Sequence, residues 1–270
     1  MRIPVFGDIH GNIEGMFFAL QQLQREHEEK YPFVLQVGDL GYFPTRDSED
    51  YATRRHGKHS ETEQGVRQYL AASSLYERFF HRPGDDALCA KIFFIRGNHE
   101  DRGALKKLEV ARPEGAIAAD PYGVLHYLPD GRGISIPLTP HDDLTIVGYG
   151  GIAKDHRPKA CSKNPDIAFS ELGLDRLVNY QPGAIDVLLT HQGPDMVDKG
   201  DVMITMLCES LKPKLHLHGH THHYSRPVMI GETSSYCIGL MPATPRPGTS
   251  GFYGFLDGRK NFTLLASPVR

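Results

Sequence analysis

Five apolar runs of the sequence each end in residues that bind metal ions well. The clusters that follow these runs are Asp8-Ile9-His10, Gly38-Asp39, Gly97-Asn98-His99-Glu100, Thr190-His191 and His218-Gly219-His220-Thr221-His222. Taken singly, a Gly-Asp pair after a strand is usually a turn, and a lone histidine there is usually a hydrogen-bonded rim residue. Three imidazoles within five residues, however, would repel one another if protonated, and coordination of the neutral rings removes that conflict. Together the clusters predict a metal centre with nitrogen and oxygen ligands.

A sheet is the structure that could bring these clusters together. Near-continuous apolar runs predict buried strands over 2–7, 33–38, 91–96, 144–149 and 185–190, with further strands over 214–218, 226–231, 234–239, 252–257 and 262–266. The carboxyl ends of strands in an open α/β sheet open onto the ligand crevice. Side chains that are far apart in sequence can therefore converge there.

Helices alternate with the first strands. Asn12 is an expected N-cap before an apolar face repeated at helical spacing, and the capping box Ser60-Glu61-Thr62-Glu63 predicts one helix ending near His81. Weaker helices are expected over 102–109, 170–180 and 201–211, and irregular loops over 44–59 and 153–168. This order predicts two packed sheets with helices outside, in a single domain over 1–270 that leaves room for a cap or insertion at 44–90.

Composition narrows the class of protein. The chain has 270 residues, a formal net charge of −3 and ordinary globular proportions, so nucleic acid is not a favoured partner. Its four cysteines are widely spaced, which indicates free thiols in a reducing compartment. The N-terminal residues lack a secretory signal, and no run approaches the about 18 apolar residues that a membrane span needs. We therefore expect a cytoplasmic protein without a membrane partner.

The clusters, taken in order, resemble the five signature motifs of calcineurin-like metallophosphoesterases. The resemblance extends over residues 7–222 and is carried by Gly7-Asp8-Ile9-His10-Gly11-Asn12, Gly38-Asp39, Gly97-Asn98-His99-Glu100, His191 and Gly219-His220-Thr221-His222. It implies a four-layer αββα sandwich, with two mixed sheets flanked by helices and a dinuclear metal site at the carboxyl ends of the strands. The implied reaction is hydrolysis of a phosphate mono- or diester by in-line attack of a metal-bridging hydroxide.

The same resemblance implies a role for each residue. One metal would be held by Asp8, His10 and His222, the other by Asn98, His191 and His220, with Asp39 bridging both. His99 would be the general acid. Nitrogen and oxygen ligands without cysteine argue against copper(I) and iron–sulfur chemistry. By family analogy we expect two divalent ions, manganese or iron, although zinc, cobalt and nickel are also compatible.

The second motif departs from the pattern. The first and third motifs resemble most the protein serine/threonine phosphatase branch, but here Tyr42 and Phe43 stand where that branch has an aspartate and an arginine. In that branch the aspartate orients the catalytic histidine and the arginine binds phosphate. Glu100 or Asp101 is the expected replacement for the aspartate, and Arg96 or Arg102 for the arginine.

Two further residues are candidate substrate contacts. Tyr42 is expected to stack on a base or an aryl group. Arg157, in the basic stretch 154–159, is expected to meet an anionic substrate, although such charged runs usually face water.

Three functions remain open from the sequence. The leading one is a phosphatase or phosphodiesterase acting on a phosphorylated small molecule, nucleotide or phosphoprotein. An RNA- or nucleotide-directed phosphodiesterase is the alternative, because the arginine is missing and the stretch from Tyr127 to Lys154 loosely resembles lariat-debranching enzymes. A non-catalytic scaffold of this fold is the third, and the retained His99 argues against it.

Overall fold

The computed structural model describes residues 1–56, 61–71, 74–80, 87–112, 114–153, 167–242 and 250–266. Within these ranges the strands are β1 (Arg2–Phe6), β2 (Phe33–Gln36), β3 (Lys91–Phe94), β4 (Ile117–Ala118), β5 (Leu125–Tyr127), β6 (Gly133–Thr139), β7 (Asp142–Tyr149), β8 (Val187–Thr190), β9 (Leu215–His218), β10 (Val228–Ile230), β11 (Thr233–Cys237), β12 (Ser250–Asp257) and β13 (Phe262–Ala266).

The helices lie mostly between the parallel strands. They are α1 (Ile13–His27), α2 (Tyr51–His56), α3 (Gly65–Leu70), α4 (Ser74–Phe80), α5 (Arg102–Ala111), α6 (Glu171–Leu177) and α7 (Val202–Leu211), with 3₁₀ turns at Arg46–Ser48 and Glu61–Gln64. The Asn12 side chain accepts a hydrogen bond from the Gly15 N–H, 3.2 Å away, so it caps α1 as the sequence predicts.

Two mixed sheets form the centre of the molecule. The first has the strand order β13-β12-β1-β2-β3-β5-β4 and the second β10-β11-β9-β8-β7-β6. Strands β1, β2 and β3 are adjacent and parallel in the first sheet, as are β7, β8 and β9 in the second. The carboxyl ends of neighbouring strands therefore lie at the same edge of each sheet.

Alternation along the strands fills three apolar layers. Side chains such as Val5, Leu35 and Leu189 pack between the sheets, whereas Phe6 and Leu188 point to the outer faces. On one outer face α1, α3, α4 and α5 cover the first sheet, and on the other α6 and α7 cover the second. The predicted four-layer αββα arrangement, with two mixed sheets flanked by helices, is confirmed.

Some element predictions differ from the structure. Where one helix ending near His81 was expected, the described residues form α3, which ends at Leu70, and α4, which begins at Ser74. The expected loop at 44–59 contains a 3₁₀ turn and α2. Ser60, the first residue of the predicted capping box, lies outside the described residues.

Two other expectations concern cysteines and membranes. Cys89, Cys208 and Cys237 are free thiols, as predicted, and Cys161 lies outside the described residues. No helix in the described part of the chain combines the length and the apolar character that crossing a bilayer requires.

Candidate metal centre

The five clusters lie together at the carboxyl ends of five strands. Three of them follow β1, β2 and β3 in the first sheet, and two follow β8 and β9 in the second. Backbone hydrogen bonds join neighbouring clusters: the His10 N–H donates to the Asp39 carbonyl, and the Gly219 N–H donates to the His191 carbonyl. The strand order thus brings residues 8 to 222 to one site.

One group of four side chains forms the more open part of the site. Ligand atoms of Asp8, His10, Asp39 and His222 all lie within 4.8 Å of one another. The Nε2 atoms of His10 and His222 are 3.1 Å apart, and the His222 Nε2 lies 3.5 Å from the Asp8 Oδ2. The His222 side chain is 40% exposed, whereas the two carboxylates are buried, so this first group opens to solvent on the His222 side.

A second group lies deeper. Ligand atoms of Asp39, His191 and His220 also lie within 4.8 Å of one another, and the Asn98 Oδ1 lies 3.2 Å from the His191 Nε2. The His191 Nδ1 is 3.0 Å from the Val37 carbonyl oxygen, which can only accept, so Nδ1 must carry a hydrogen. This contact orients the His191 Nε2 toward the Asp39 Oδ2, 3.3 Å away.

Asp39 belongs to both groups. Its Oδ1 accepts hydrogen bonds from the backbone N–H groups of Asn98 and His99, at 2.7 and 2.8 Å. Its Oδ2 is buried and has no hydrogen-bond partner among the described residues, and the same is true of the His220 Nδ1. Buried oxygen and nitrogen atoms without partners, surrounded by further carboxylate and imidazole donors, fit a site for divalent cations.

The backbone at the site is held in uncommon conformations. His10, Asp39, His220 and His222 have φ angles of 43°, 54°, 68° and 64°, in the left-handed region that non-glycine residues rarely occupy. Such conformations persist where the surroundings impose them and they concentrate at functional sites. Here they direct four candidate ligands into one space.

Two motif glycines make room for the carboxylates. A Cβ atom on Gly97 would overlap the Asp39 Oδ1, and one on Gly219 would overlap the Asp8 Oδ1. A side chain at either position would displace a candidate ligand, which gives these glycines a reason beyond turn formation.

The ionisation of the two groups differs. Burial lowers the pKa of His10 and His220 to about 3 and also lowers that of His222, so these rings are neutral near pH 7. Burial raises the pKa of Asp8 to about 7. Burial alone would lower the pKa of His191, but the negative charges of Asp39 and Asp8 raise it to about 9. Neutral imidazoles are the form that ligates metal.

His99 lies beside the first group and contacts an acid that the sequence analysis did not identify. Its ring packs edge-to-face against that of His10, with centroids 4.9 Å apart. Its Nδ1 lies 2.6 Å from the Oδ2 of Asp50. Burial would lower the pKa of His99, but Asp39 and Asp50 raise it to about 10. No pattern in the sequence distinguished Asp50 from Asp47 and Glu49, so only the structure could find it.

Glu100 and Asp101 have other partners, which contradicts the expectation that one of them orients His99. The Glu100 carboxylate accepts hydrogen bonds from the backbone N–H groups of Gly41 and Gly97, and Asp101 caps α5 by accepting from the Ala104 N–H.

Tyr42 and Arg96 are buried, which contradicts their expected roles as substrate contacts. The Tyr42 ring stacks on Phe94 in the core, and its hydroxyl donates to the Ala119 carbonyl at 2.8 Å. The Arg96 guanidinium is 2% exposed and pairs with Asp130. Both side chains stabilise the scaffold and neither is accessible to substrate.

Of the two other arginines predicted to contact substrate, the structure describes Arg102 but not Arg157. Arg102 pairs with Glu109 and donates to the Tyr127 hydroxyl, but it also lines a cavity of about 290 Å³ beside Asn98. Arg157 lies outside the described residues. Contact of either residue with substrate stays a prediction.

The cavity adjoins the second group and the Asp50 contact. Its lining includes Phe43, Asp50, Arg54, Asn98, Glu100 and Arg102. Phe43 is 2% exposed, so the described part of the lining offers polar and charged groups and no open aromatic face.

Comparisons with solved structures and with a family model agree with this fold. No curated protein matches the chain. Among solved structures, TT1561 of Thermus thermophilus is similar with a TM-score of 0.51 and 12% identity over 98% of both chains, and another has a TM-score of 0.56 and 14% identity at the same coverage. GAP50, the anchor in the inner membrane complex of Plasmodium, has a TM-score of 0.49 and 12% identity over 99% of this chain and 84% of its own. At these identities the first two likenesses show a shared fold.

Residues 1–224, which include all five clusters, match the calcineurin-like phosphoesterase family. The chain belongs to that family.

Proposed function

We propose that the chain is a two-metal hydrolase that cleaves phosphate mono- or diesters, with His99 as the general acid. Asp8, His10 and His222 would hold one cation, Asn98, His191 and His220 would hold the other, and Asp39 would be shared between them. When bound, two divalent ions supply Lewis-acid chemistry, activating water and neutralising phosphate oxygens. Manganese or iron suits these nitrogen and oxygen donors.

The observation that carries this proposal is the shared position of Asp39. One carboxylate, fixed through Oδ1 by two backbone N–H groups, belongs to two separate ligand groups. That arrangement is suited to two neighbouring cations, because the shared negative charge offsets their repulsion. A protein that only stores metal would not need a carboxylate shared between two ligand groups.

The protein's own groups supply the remaining chemistry. Hydrolysis of a phosphate ester leaves an alkoxide or aryloxide, which departs readily only when it is protonated. His99, beside the first group, is suited to donate that proton. The open side at His222 is the route by which a phosphorylated substrate reaches the site in a cytoplasmic enzyme.

The test is hydrolysis by the full chain after reconstitution with Mn²⁺ or Fe²⁺. The reconstituted protein is expected to hydrolyse 4-nitrophenyl phosphate or bis(4-nitrophenyl) phosphate, and the ratio of the two rates separates phosphatase from phosphodiesterase. His99→Gln is expected to lower kcat by about 10²-fold or more on substrates with poor leaving groups. Its metal content should stay at the wild-type level. Loss of metal in this variant would contradict the role of His99 as a non-ligand acid.

The alternatives have less support. A nucleotide-directed phosphodiesterase would gain from base stacking on Tyr42, but that ring is buried and offers no platform for a base. A non-catalytic scaffold has no need for an acid–imidazole contact beside the ligands. Binding of two cations without hydrolysis of either nitrophenyl ester would favour the hypothesis of a non-catalytic scaffold.

A further inference from the structure

The contact between Asp50 and His99 is the best-defined feature of the site that no metal ligand explains. The Asp50 Oδ2 and the His99 Nδ1 are 2.6 Å apart, and both atoms are buried. Neither atom has a hydrogen-bond partner of good angular geometry in the described part of the chain, so the contact between them is a close ion pair. The two side chains therefore form a buried acid–imidazole pair.

The Asp50 carboxylate is itself fixed in position. Its Oδ1 accepts a 2.7 Å hydrogen bond from the Thr53 N–H in the first turn of α2. The backbone of Asp50 is held by α2 as well, because the Arg54 N–H donates to the Asp50 carbonyl at 3.1 Å. A carboxylate held at one oxygen by the backbone presents the other oxygen in a fixed direction.

The segment that carries Asp50 is anchored to the rest of the fold. Glu49, buried, pairs with Arg67 of α3 and also accepts a hydrogen bond at its carbonyl from the Arg54 Nε, 2.8 Å away. Because α3 packs on α1 in the outer layer, the position of Asp50 is set by the helices next to the first sheet. The contact with His99 is therefore built into the fold.

We propose that Asp50 is the positioning residue of the general acid. This proposal rests on the proposed function of the site. Asp50 holds the His99 Nδ1 in its hydrogen-bearing form, which leaves Nε2 to carry the proton that is donated. As the P–O bond breaks, the proton moves from the His99 Nε2 to the departing oxygen, while the contact of Asp50 with Nδ1 keeps the ring in its orientation.

The variant Asp50→Asn tests this role with little disturbance of the fold. Asparagine is as good an N-cap as aspartate, so the hydrogen bond to the Thr53 N–H can be kept while the charge facing His99 is lost. Asp175→Asn, an exposed position on α6, is the control for removal of one negative charge.

The kinetic test compares two esters that differ in their leaving groups. Phenolate leaves poorly without protonation, whereas 4-nitrophenolate leaves well. With the Mn²⁺-loaded full chain, Asp50→Asn is expected to lower kcat on phenyl phosphate by about 10²-fold and on 4-nitrophenyl phosphate by less than about 10-fold. Metal content should be unchanged, and Asp175→Asn should behave as wild type. Equal losses on both esters, or no loss on either, would overturn the positioning role.

A second measurement does not depend on activity. Imidazole ¹⁵N–¹H spectra of the full chain should show a proton on the His99 Nδ1, assigned by its absence in His99→Gln, and this signal should be lost or shifted in Asp50→Asn. An unchanged signal would contradict the proposal even if the enzyme were inactive. A wild type that hydrolyses neither ester, but shows the signal and its loss in Asp50→Asn, would instead count against the proposed function alone.

Discussion

The two ligand groups share one carboxylate but differ in exposure and in charge. The first group includes His222, which is 40% exposed, and the pKa values of its histidines are lowered. The second group is centred on His191, which is fully buried and whose pKa is raised to about 9 by the neighbouring acids. For the proposed function, the difference gives one cation an accessible position that is open to solvent and the other an enclosed position where it would replace a proton.

The largest expected effect comes from removing one ligand from each group. His191→Ala and His222→Ala should each bind one cation, whereas the wild type binds two. Loss of a residue that only supports a ligand lowers metal affinity or activity by about 10–100-fold, so loss of a ligand itself should lower activity by more than that. Because His191 is buried and oriented by Val37, its loss should weaken binding more than loss of His222. Metal analysis after dialysis counts the retained cations, and competition with a chelator measures how tightly the remaining one is held. Equal affinity for the remaining cation in the two variants would remove the distinction between the groups.

A smaller effect is expected from pH. Metal ligation needs the neutral imidazole, so below about pH 9 a cation in the second group must displace a proton from His191. In the first group the histidines are already neutral, and only Asp8, with a pKa of about 7, competes. Affinity in His222→Ala, which keeps the second group, should therefore go on rising between pH 7 and 8.5, whereas affinity in His191→Ala should level off.

Isothermal titration calorimetry with Mn²⁺ in buffers of different ionisation enthalpy measures the protons released. No proton release on binding to the second group at pH 7.5 would contradict the assigned charge of His191.

The smallest effect is expected at Tyr42, because it belongs to the core and not to the site. Tyr42→Phe removes the hydrogen bond to the Ala119 carbonyl and should lower the free energy of unfolding by about 1 kcal/mol. Urea denaturation measures this loss. A changed KM for aryl phosphates in this variant would restore Tyr42 as a substrate contact.

The sequence could predict the parts of the site that follow directly from strand ends. Asp8, Asp39 and His191 each come after an apolar run, and adjacent parallel strands bring such positions to one edge. The order of strands and helices predicted two packed sheets with helices outside, and the resemblance of the five motifs to the family implied the four-layer sandwich.

Strand ends could not predict the side-chain contacts of the residues around the second motif and next to the site. Tyr42 was expected in the site because the second motif was assumed to continue along the crevice. In the structure Gly41 has a φ of 83°, and the Tyr42 ring that follows it packs on Phe94. Asp50 reaches His99 through the fold of α2, which the sequence did not predict. Arg96 pairs with Asp130, which follows the short strand β5 that the sequence analysis missed.

The most direct test of the central claim is the number and position of bound cations. Anomalous diffraction from crystals of Mn²⁺-loaded protein should show two peaks, one within each ligand group, with Asp39 in contact with both. Asp39→Asn should lose both peaks and not only one. A single peak in the wild type, or one peak retained at full occupancy in Asp39→Asn, would contradict a shared two-metal centre.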